Sequence, residues 1–358
     1  MGSRCVRLAP FLPPRLLIHF ISEPGVDLRF VTEPLRIFSF DPWAMRGKRF
    51  FEGILAYRRA ILPANRARIK PREEFRCVLC GRTEGRVLLT WEAGYEVIEC
   101  AFCDYSTANF SIEDPKDHVK ISYDNDVYYE KFLREIVEHY DYRKDTMGKE
   151  RFEYSVARLG LDQAKASILD LGCGAGWFLS YLKERGVKAR GLEVNPMVVR
   201  FCEGRGLDVR DSRLAEEPDG AYDVITMFDV LEHLHDPIEV LSTARRKLTT
   251  GGFVVGYTPN IHSIAYELMG TSQNTLLPFE HVGFFSRKSF AHLAAETGFE
   301  VHTLEVFGFD VMDYLLMKEY EDGVDYTVKL RQMMLLTQAC IDRVGVGNHF
   351  RVTLKKSA

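Results

Sequence analysis

Residues 168–176 read Ile168-Leu169-Asp170-Leu171-Gly172-Cys173-Gly174-Ala175-Gly176, an apolar run ending in three alternating glycines. That order predicts a strand, a tight turn and then a helix, because glycine tolerates positive φ and lets a ligand lie against bare backbone. Glu193 stands 21 residues past Gly172, at the end of the next apolar run, Arg190 to Val194. A carboxylate there can accept hydrogen bonds from both hydroxyls of a ribose.

Outward from this segment the pattern repeats. From Arg151 onward, the apolar runs Ser167–Leu171, Lys188–Val194, Leu207–Arg210, Asp223–Phe228 and Phe253–Thr258 alternate with helical stretches. Such βα units predict an open, largely parallel sheet with helices on both faces. Two helix starts fit the scheme. Asp236-Pro237-Ile238-Glu239 joins a capping acid to Pro at the first helical position, and Ser286 opens a helix that Gly298 closes.

Residue types separate the nucleotide ligands. The dinucleotide fingerprint G-x-G-x-x-G/A ends on a small residue so that helix and strand pack closely. Trp177 holds that place here. Asp170 beside the turn suits a ligand with positive charge and no phosphate, and S-adenosylmethionine carries both a sulfonium and an ammonium. An NAD(P)-dependent oxidoreductase is the alternative reading of the same turn.

The chain has 358 residues, 46% apolar and 27% charged, enough for roughly two domains. Its 47 Lys and Arg against 51 Asp and Glu give a net charge of -4, which argues against a protein whose whole surface grips nucleic acid. Pro10, Pro13, Pro14 and Arg15 break the apolar stretch Leu8–Ile21, which falls short of the ~20 residues of a membrane span. No small-residue cleavage site follows it, so the expectation is a cytoplasmic protein without a span.

Residues 1–72 carry 14 Lys and Arg against 5 Asp and Glu, leaving -13 for the remainder. This basic leader is expected to be partly helical, from Ala44 to Ile61. Phe50, Ile54, Tyr57 and Ile61 lie on one side of that helix, and Arg46, Lys48, Arg49, Arg58 and Arg59 on the other. A helix docked on its own protein with a solvated basic face is favoured over one lying on anionic lipid or nucleic acid.

Cys77-x-x-Cys80 and Cys100-x-x-Cys103 are 19 residues apart, the spacing of a four-thiolate zinc site. Between them Arg86–Thr90 and Tyr95–Ile98 alternate like a hairpin, so residues 73–104 read as a zinc ribbon. Four protein ligands would close the shell and make the ion structural. Residues 105–150 read as a helical connector, with Val127, Phe132, Ile136 and Tyr140 at helical spacing and Tyr123, Tyr128 and Tyr129 as a candidate lid. The main domain is 151–358. It carries a helical insertion at about 310–343, which covers the substrate pocket or forms a homodimer face, and a closing strand from His349 to Lys355.

Asp170-Leu171-Gly172-Cys173-Gly174-Ala175-Gly176, Glu193, the run Tyr222 to His233 and Gly251-Gly252-Phe253 together resemble the successive motifs of class I S-adenosylmethionine-dependent methyltransferases. Phe228 to His233, Thr258-Pro259-Asn260 and Phe279 to Ser286 look most like the small-molecule branch, which includes sugar, polysaccharide and quinone-precursor methyltransferases. The resemblance implies a doubly wound, seven-stranded, mostly parallel, Rossmann-like sheet behind the ribbon. It implies that Asp170, Gly172, Cys173, Gly174 and Gly176 hold the methionine moiety and Glu193 the ribose. Phe228, Asp229 and Val230 would lie beside the adenine and sulfonium. Asp211, in the run Arg210 to Arg213, is the candidate for the adenine amino group, with the register there open.

The segment after the fourth strand lacks the Asn/Asp-Pro-Pro-aromatic box of enzymes that methylate base amines, which disfavours a nucleic-acid substrate. Sugar C-methyltransferases also resemble this chain in carrying a zinc module ahead of the catalytic domain. The implied activity is therefore methyl transfer to oxygen or carbon of a sugar or saccharide-related metabolite. A zinc-ribbon binding protein with an inactive methyltransferase-like domain is a further alternative. An acceptor hydroxyl, or a carbon beside a carbonyl, must lose a proton, and histidine is suited to take it. His233 and His281 are the candidate bases, with Glu280, Tyr257 and His235 in reserve, while Phe279, Phe284 and Phe285 read as core.

Overall fold

Neighbouring residues on three adjacent strands turn to opposite faces, and this decides the layers. Ile168, Val224 and Val255 join one buried cluster, and Leu169, Ile225 and Val254 the other. The computed structural model describes residues 50–65, 69–72, 74–91, 94–112, 137–277 and 279–357. In chain order these form α1 (Phe50–Asn65), β1 (Ile69–Pro71), β2 (Gly85–Trp91), β3 (Tyr95–Cys100), β4 (Ser106–Ala108) and β5 (Phe110–Ile112). A helical segment over residues 140–157 follows, containing two stretches of π-helix. Then come β6 (Ser167–Leu171), α2 (Trp177–Glu184), β7 (Lys188–Leu192), α3 (Pro196–Glu203), β8 (Val209–Arg210), β9 (Tyr222–Phe228) and α4 (Pro237–Lys247). The chain continues through β10 (Leu248–Pro259), α5 (Ile264–Met269), β11 (Gly283–Phe284), α6 (Arg287–Thr297), β12 (Phe299–Phe307), α7 (Asp310–Asp322), α8 (Tyr326–Val344) and β13 (His349–Lys356).

The main sheet runs β12-β13-β10-β9-β6-β7-β8. Its strands are parallel except β13, which pairs antiparallel with both β10 and β12. This is the expected doubly wound seven-stranded sheet, closed by the expected terminal strand. Strand order reverses between β6 and β9, and open sheets of this kind bind ligands in the crevice at such a reversal. On one face α2 and α3 pack through Phe178, Leu182, Val198 and Cys202. On the other, α4 and α6 pack through Leu241, Phe290 and Leu293, together with Cys77, Cys100, Cys103 and Tyr105 of the cysteine module. Leu169, Ile225 and Val254 are fully buried, each such side chain contributing about 1.5–3 kcal/mol.

The predicted caps form. Asp236 Oδ1 accepts from the Glu239 amide at 2.8 Å with Pro237 in the first turn, and Ser286 and Ser289 bond each other's backbone amides reciprocally. β7 stops at Leu192 rather than reaching Val194, because Asn195 caps α3 by accepting from the Met197 and Val198 amides. β10 begins five residues earlier than expected, at Leu248, with a register shift before Phe253.

The cysteine module carries the expected hairpin, β2 against β3, within a four-stranded antiparallel sheet ordered β11-β4-β3-β2. Helix α1 is described from Phe50 onward. Phe51 packs with Met312, Leu315 and Leu316, and Tyr57 and Ile61 pack with Tyr95 and Val97. Arg58 departs from its expected place on the solvated face. It lies three residues before Ile61 and four after Ile54, on the apolar side, and is buried while its guanidinium donates to the Thr271 carbonyl at 3.0 Å and to that of Gln273. Arg46, Lys48, Arg49 and the proposed lid tyrosines 123, 128 and 129 lie outside the described residues.

Candidate functional site

The crevice at the strand reversal is lined by the turn after β6, the end of β7 and the segment after β9. Gly172, Gly174 and Gly176 have φ of 68°, 52° and 72°, values that L side chains adopt at a cost. A Cβ on Gly172 would stand 2.7 Å from Val230 Cγ2, and one on Gly176 would stand 2.7 Å from Leu207 Cδ1. A Cβ on Gly174 would meet nothing within 4 Å, so the middle of the turn is open on that side. Cys173 turns its thiol onto Gly191 of β7 and is buried, so it offers a ligand only backbone.

Asp170 is buried, and its Oδ1 accepts from Thr226 Oγ1 at 2.6 Å. Its Oδ2 has no partner among the described residues. Burial, opposed by the Thr226 hydroxyl and the Arg151 charge, pushes this carboxyl up to about 6. A buried acceptor without a donor costs about 1–3 kcal/mol, so it is a group a cationic ligand would satisfy. Glu193 Oε2 accepts from the Gly174 amide at 2.9 Å and Oε1 from the Asn195 amide at 3.0 Å. Burial raises Glu193 against those two bonds. Each oxygen keeps further acceptor capacity for a hydroxyl.

Asp229 has φ of 58°, and its amide donates to the Tyr257 carbonyl at 3.0 Å. That turn sets its carboxylate 3.4 Å from the Arg151 guanidinium. Arg151 is buried over the rings of Trp177 at 4.0 Å and Phe228 at 4.2 Å. Burial lowers its pKa, with Asp229 and Asp170 opposing. Sequence reading missed Arg151 as a site residue, since a basic residue in a helical stretch carries no local signal of its target. Asp211 is exposed, and its charge raises Glu193. The hydroxyl of its neighbour Ser212 is buried with no partner among the described residues.

His233 and His281 come together with their rings 4.8 Å apart, edge to face. His233 Nδ1 lies 2.8 Å from the Glu280 carbonyl, and His281 Nδ1 lies 2.6 Å from that of Thr275. A carbonyl only accepts, so both rings carry a proton on Nδ1, and a neutral ring then has its lone pair on Nε2. Burial, then His281, push His233 down to about 3, so it is neutral at pH 7. His281 Nε2 lies 3.9 Å from Glu232 Oε1, and burial raises the Glu232 carboxyl well above its usual range.

Glu232, His233 and His281 present three ligand atoms within 4.8 Å, a set that could also hold a cation. Of the reserves, Glu280 is pushed up to about 8 by burial and Tyr257 is buried. His235 instead faces an open cavity of about 610 Å³, lined also by Arg72, Arg76 and Asp236. Phe279, Phe284 and Phe285 are buried as core.

The Sγ atoms of Cys77, Cys80, Cys100 and Cys103 all lie within 4.8 Å of one another, with Cys77–Cys103 and Cys80–Cys100 at 3.5 Å. Zinc bonded to sulfur at ~2.3 Å in a tetrahedron spaces its ligands about 3.8 Å apart, so the donor set fits that ion.

A family profile described as a methyltransferase domain matches residues 140–304. The ubiquinone biosynthesis O-methyltransferase of Chromobacterium violaceum is 25% identical over 209 residues, covering 53% of this chain and 90% of that protein. The enzyme of the same name from Pseudomonas paraeruginosa is 33% identical over 118 residues, covering 30% of this chain and 50% of its own length. Among solved structures, a SAM-dependent methyltransferase from Archaeoglobus fulgidus is similar at 21% identity and a TM-score of 0.43, covering 60% of this chain and 94% of that one. The profile match begins after the cysteine module and takes in both the glycine turn and His281. Residues 140–304 are thus a methyltransferase domain.

Proposed function

We propose that the chain methylates an oxygen or carbon of a small, hydroxyl-rich acceptor, a sugar or saccharide-related metabolite. One observation carries the acceptor class. Two buried side-chain atoms on the loop that leads to His281, namely Gln273 Nε2 and Asn274 Oδ1, have no hydrogen-bond partner among the described residues. Such atoms match hydroxyls better than a bare ring. The names of the relatives favour a second reading, a phenolic hydroxyl of a quinone precursor.

In this reading Asp170 Oδ2 takes the ammonium of the methyl donor, and Arg151 faces its carboxylate. Glu193 holds the ribose, with Asp211 or Ser212 at the adenine edge. S-adenosylmethionine supplies an already activated methyl group, so the protein's main task is in-line placement of the acceptor at roughly 3–3.5 Å. His281 takes the acceptor proton on Nε2 as the acceptor's electron pair moves to the methyl carbon and the methyl–sulfur bond breaks onto sulfur, leaving S-adenosylhomocysteine, and Glu232 lies beside the imidazolium that results. His233, neutral, accepts a hydrogen bond from the substrate. Cys77, Cys80, Cys100 and Cys103 hold a structural zinc ion, which calls for a reducing compartment such as the cytoplasm.

The test is incubation with labelled S-adenosylmethionine and fractionated metabolites, nucleotide sugars among them, followed by mass analysis. Label in a saccharide fraction supports the reading, and label in a phenolic fraction supports the second. Donor binding with no labelled product would mark an inactive domain. Metal analysis should return one zinc per chain, and less than half an equivalent in undamaged protein refutes the ribbon. Among the described residues no helix is long and apolar enough to cross a membrane.

A further inference from the structure

The cysteine module and the acceptor-side histidine share one sheet. β4 begins three residues after Cys103, and β11 begins two residues after His281. The two strands pair antiparallel, Ser106 opposite Phe284 and Thr107 opposite Gly283. Thr107 Oγ1 donates to the Val282 carbonyl at 2.9 Å, and the Ala108 amide reaches the same oxygen at 3.3 Å. From the other side, the Val282 amide donates to the Glu232 carbonyl at 2.8 Å. The loop carrying His281 is thus clamped between the module and the segment that bears Glu232 and His233.

Tyr105 makes the clamp specific. Its ring meets Phe285 edge to face at 5.0 Å, and a Cβ on Gly283 would overlap its hydroxyl. The Tyr105 carbonyl accepts from the amide of Cys100, one of the four thiol residues, at 2.9 Å. Only a residue without a side chain fits at Gly283, and the partner that requires this comes from the cysteine module. Among the described residues the glycine turn makes no hydrogen bond to the module.

We propose that the module is a brace for the acceptor half of the site, with Tyr105 and Thr107 as positioning residues that set His281 against Glu232. Four thiolates closed on an ion would stiffen the end of the sheet where β3 turns into β4. Loading of the module therefore controls the order of residues 280–285 and leaves the donor half unchanged. This rests on His281 acting on the acceptor, as read above.

The experiment is hydrogen–deuterium exchange with mass analysis on the full chain, with calorimetric titration of S-adenosylhomocysteine alongside. It compares wild type as purified, Gly283→Ala, and the milder Thr107→Val. In both variants amides of residues 280–285 should exchange at least tenfold faster, with Gly283→Ala the stronger. Exchange at residues 170–176, zinc content and S-adenosylhomocysteine affinity should stay within twofold. Unchanged exchange at 280–285 in both variants overturns the brace, and so does equal loosening of both halves. Wild type that fails to bind S-adenosylhomocysteine would overturn the donor-site reading instead, while the exchange result still decides the brace.

Discussion

The donor and acceptor halves of the site are built in opposite ways. The donor half is local: Asp170, the three glycines, Glu193 and Asn195 lie within 26 residues, and the bond from the Gly174 amide to the Glu193 carboxylate ties the two loops directly. The acceptor half is assembled over distance, with His233 bonded to the Glu280 carbonyl 47 residues away and Thr107 bonded to that of Val282 175 residues away. A crevice made from one βαβ unit is carried by a single stretch of sequence. A pocket gathered from a late loop and the separate cysteine module is free to vary independently of it.

Substitutions should keep the halves apart, and the largest effect is expected on the acceptor side. His281→Ala removes the base and should lower turnover about 10²–10⁴-fold, while calorimetry finds S-adenosylhomocysteine affinity within twofold of wild type. Parallel loss of both would mean that the halves are coupled.

On the donor side Asp170→Asn should weaken S-adenosylmethionine binding roughly 10–100-fold, the worth of one charge-assisted bond. Stability should move the other way. The folded value near 6 lies above the ~3.9 of an unfolded chain. The native state therefore holds the extra proton between those values, and stability falls as pH rises through that window. The neutral Asn variant escapes this, so without ligand at pH 7.5 its unfolding free energy should exceed that of wild type by an amount on the order of 2–3 kcal/mol, seen as a higher Tm. Donor affinity in wild type should climb between pH 5 and 7 as Asp170 ionises, and the variant should lack that climb.

Glu193→Ala should cost about tenfold in donor affinity, because it removes the ribose acceptors and releases two backbone amides. Affinity equal to that of wild type would take Glu193 out of the site.

The same contrast explains what the sequence disclosed. Strand β6, the glycine turn, Glu193 and the caps at Asp236 and Ser286 were legible because each follows from neighbours a few residues apart. The cluster of four cysteines was legible because two C-x-x-C pairs at this separation bring four thiols together. Arg151 was not, because its role depends on Asp229 and Trp177 folding around it. Gln273 and Asn274 likewise lie in a loop without period, and Gly283 shows its reason only once Tyr105 is packed against it. Arg58 is buried against the expectation from its charge because its position in line with Ile54 and Ile61 carries it inward, where two backbone carbonyls take its guanidinium.

Diffraction from crystals soaked with S-adenosylmethionine tests the central claim most directly. The account predicts the amino group against Asp170 Oδ2 and the ribose hydroxyls on Glu193, with the backbone of Gly174 alongside. A crevice that stays vacant, or a ligand bound with neither carboxylate in contact, would contradict it.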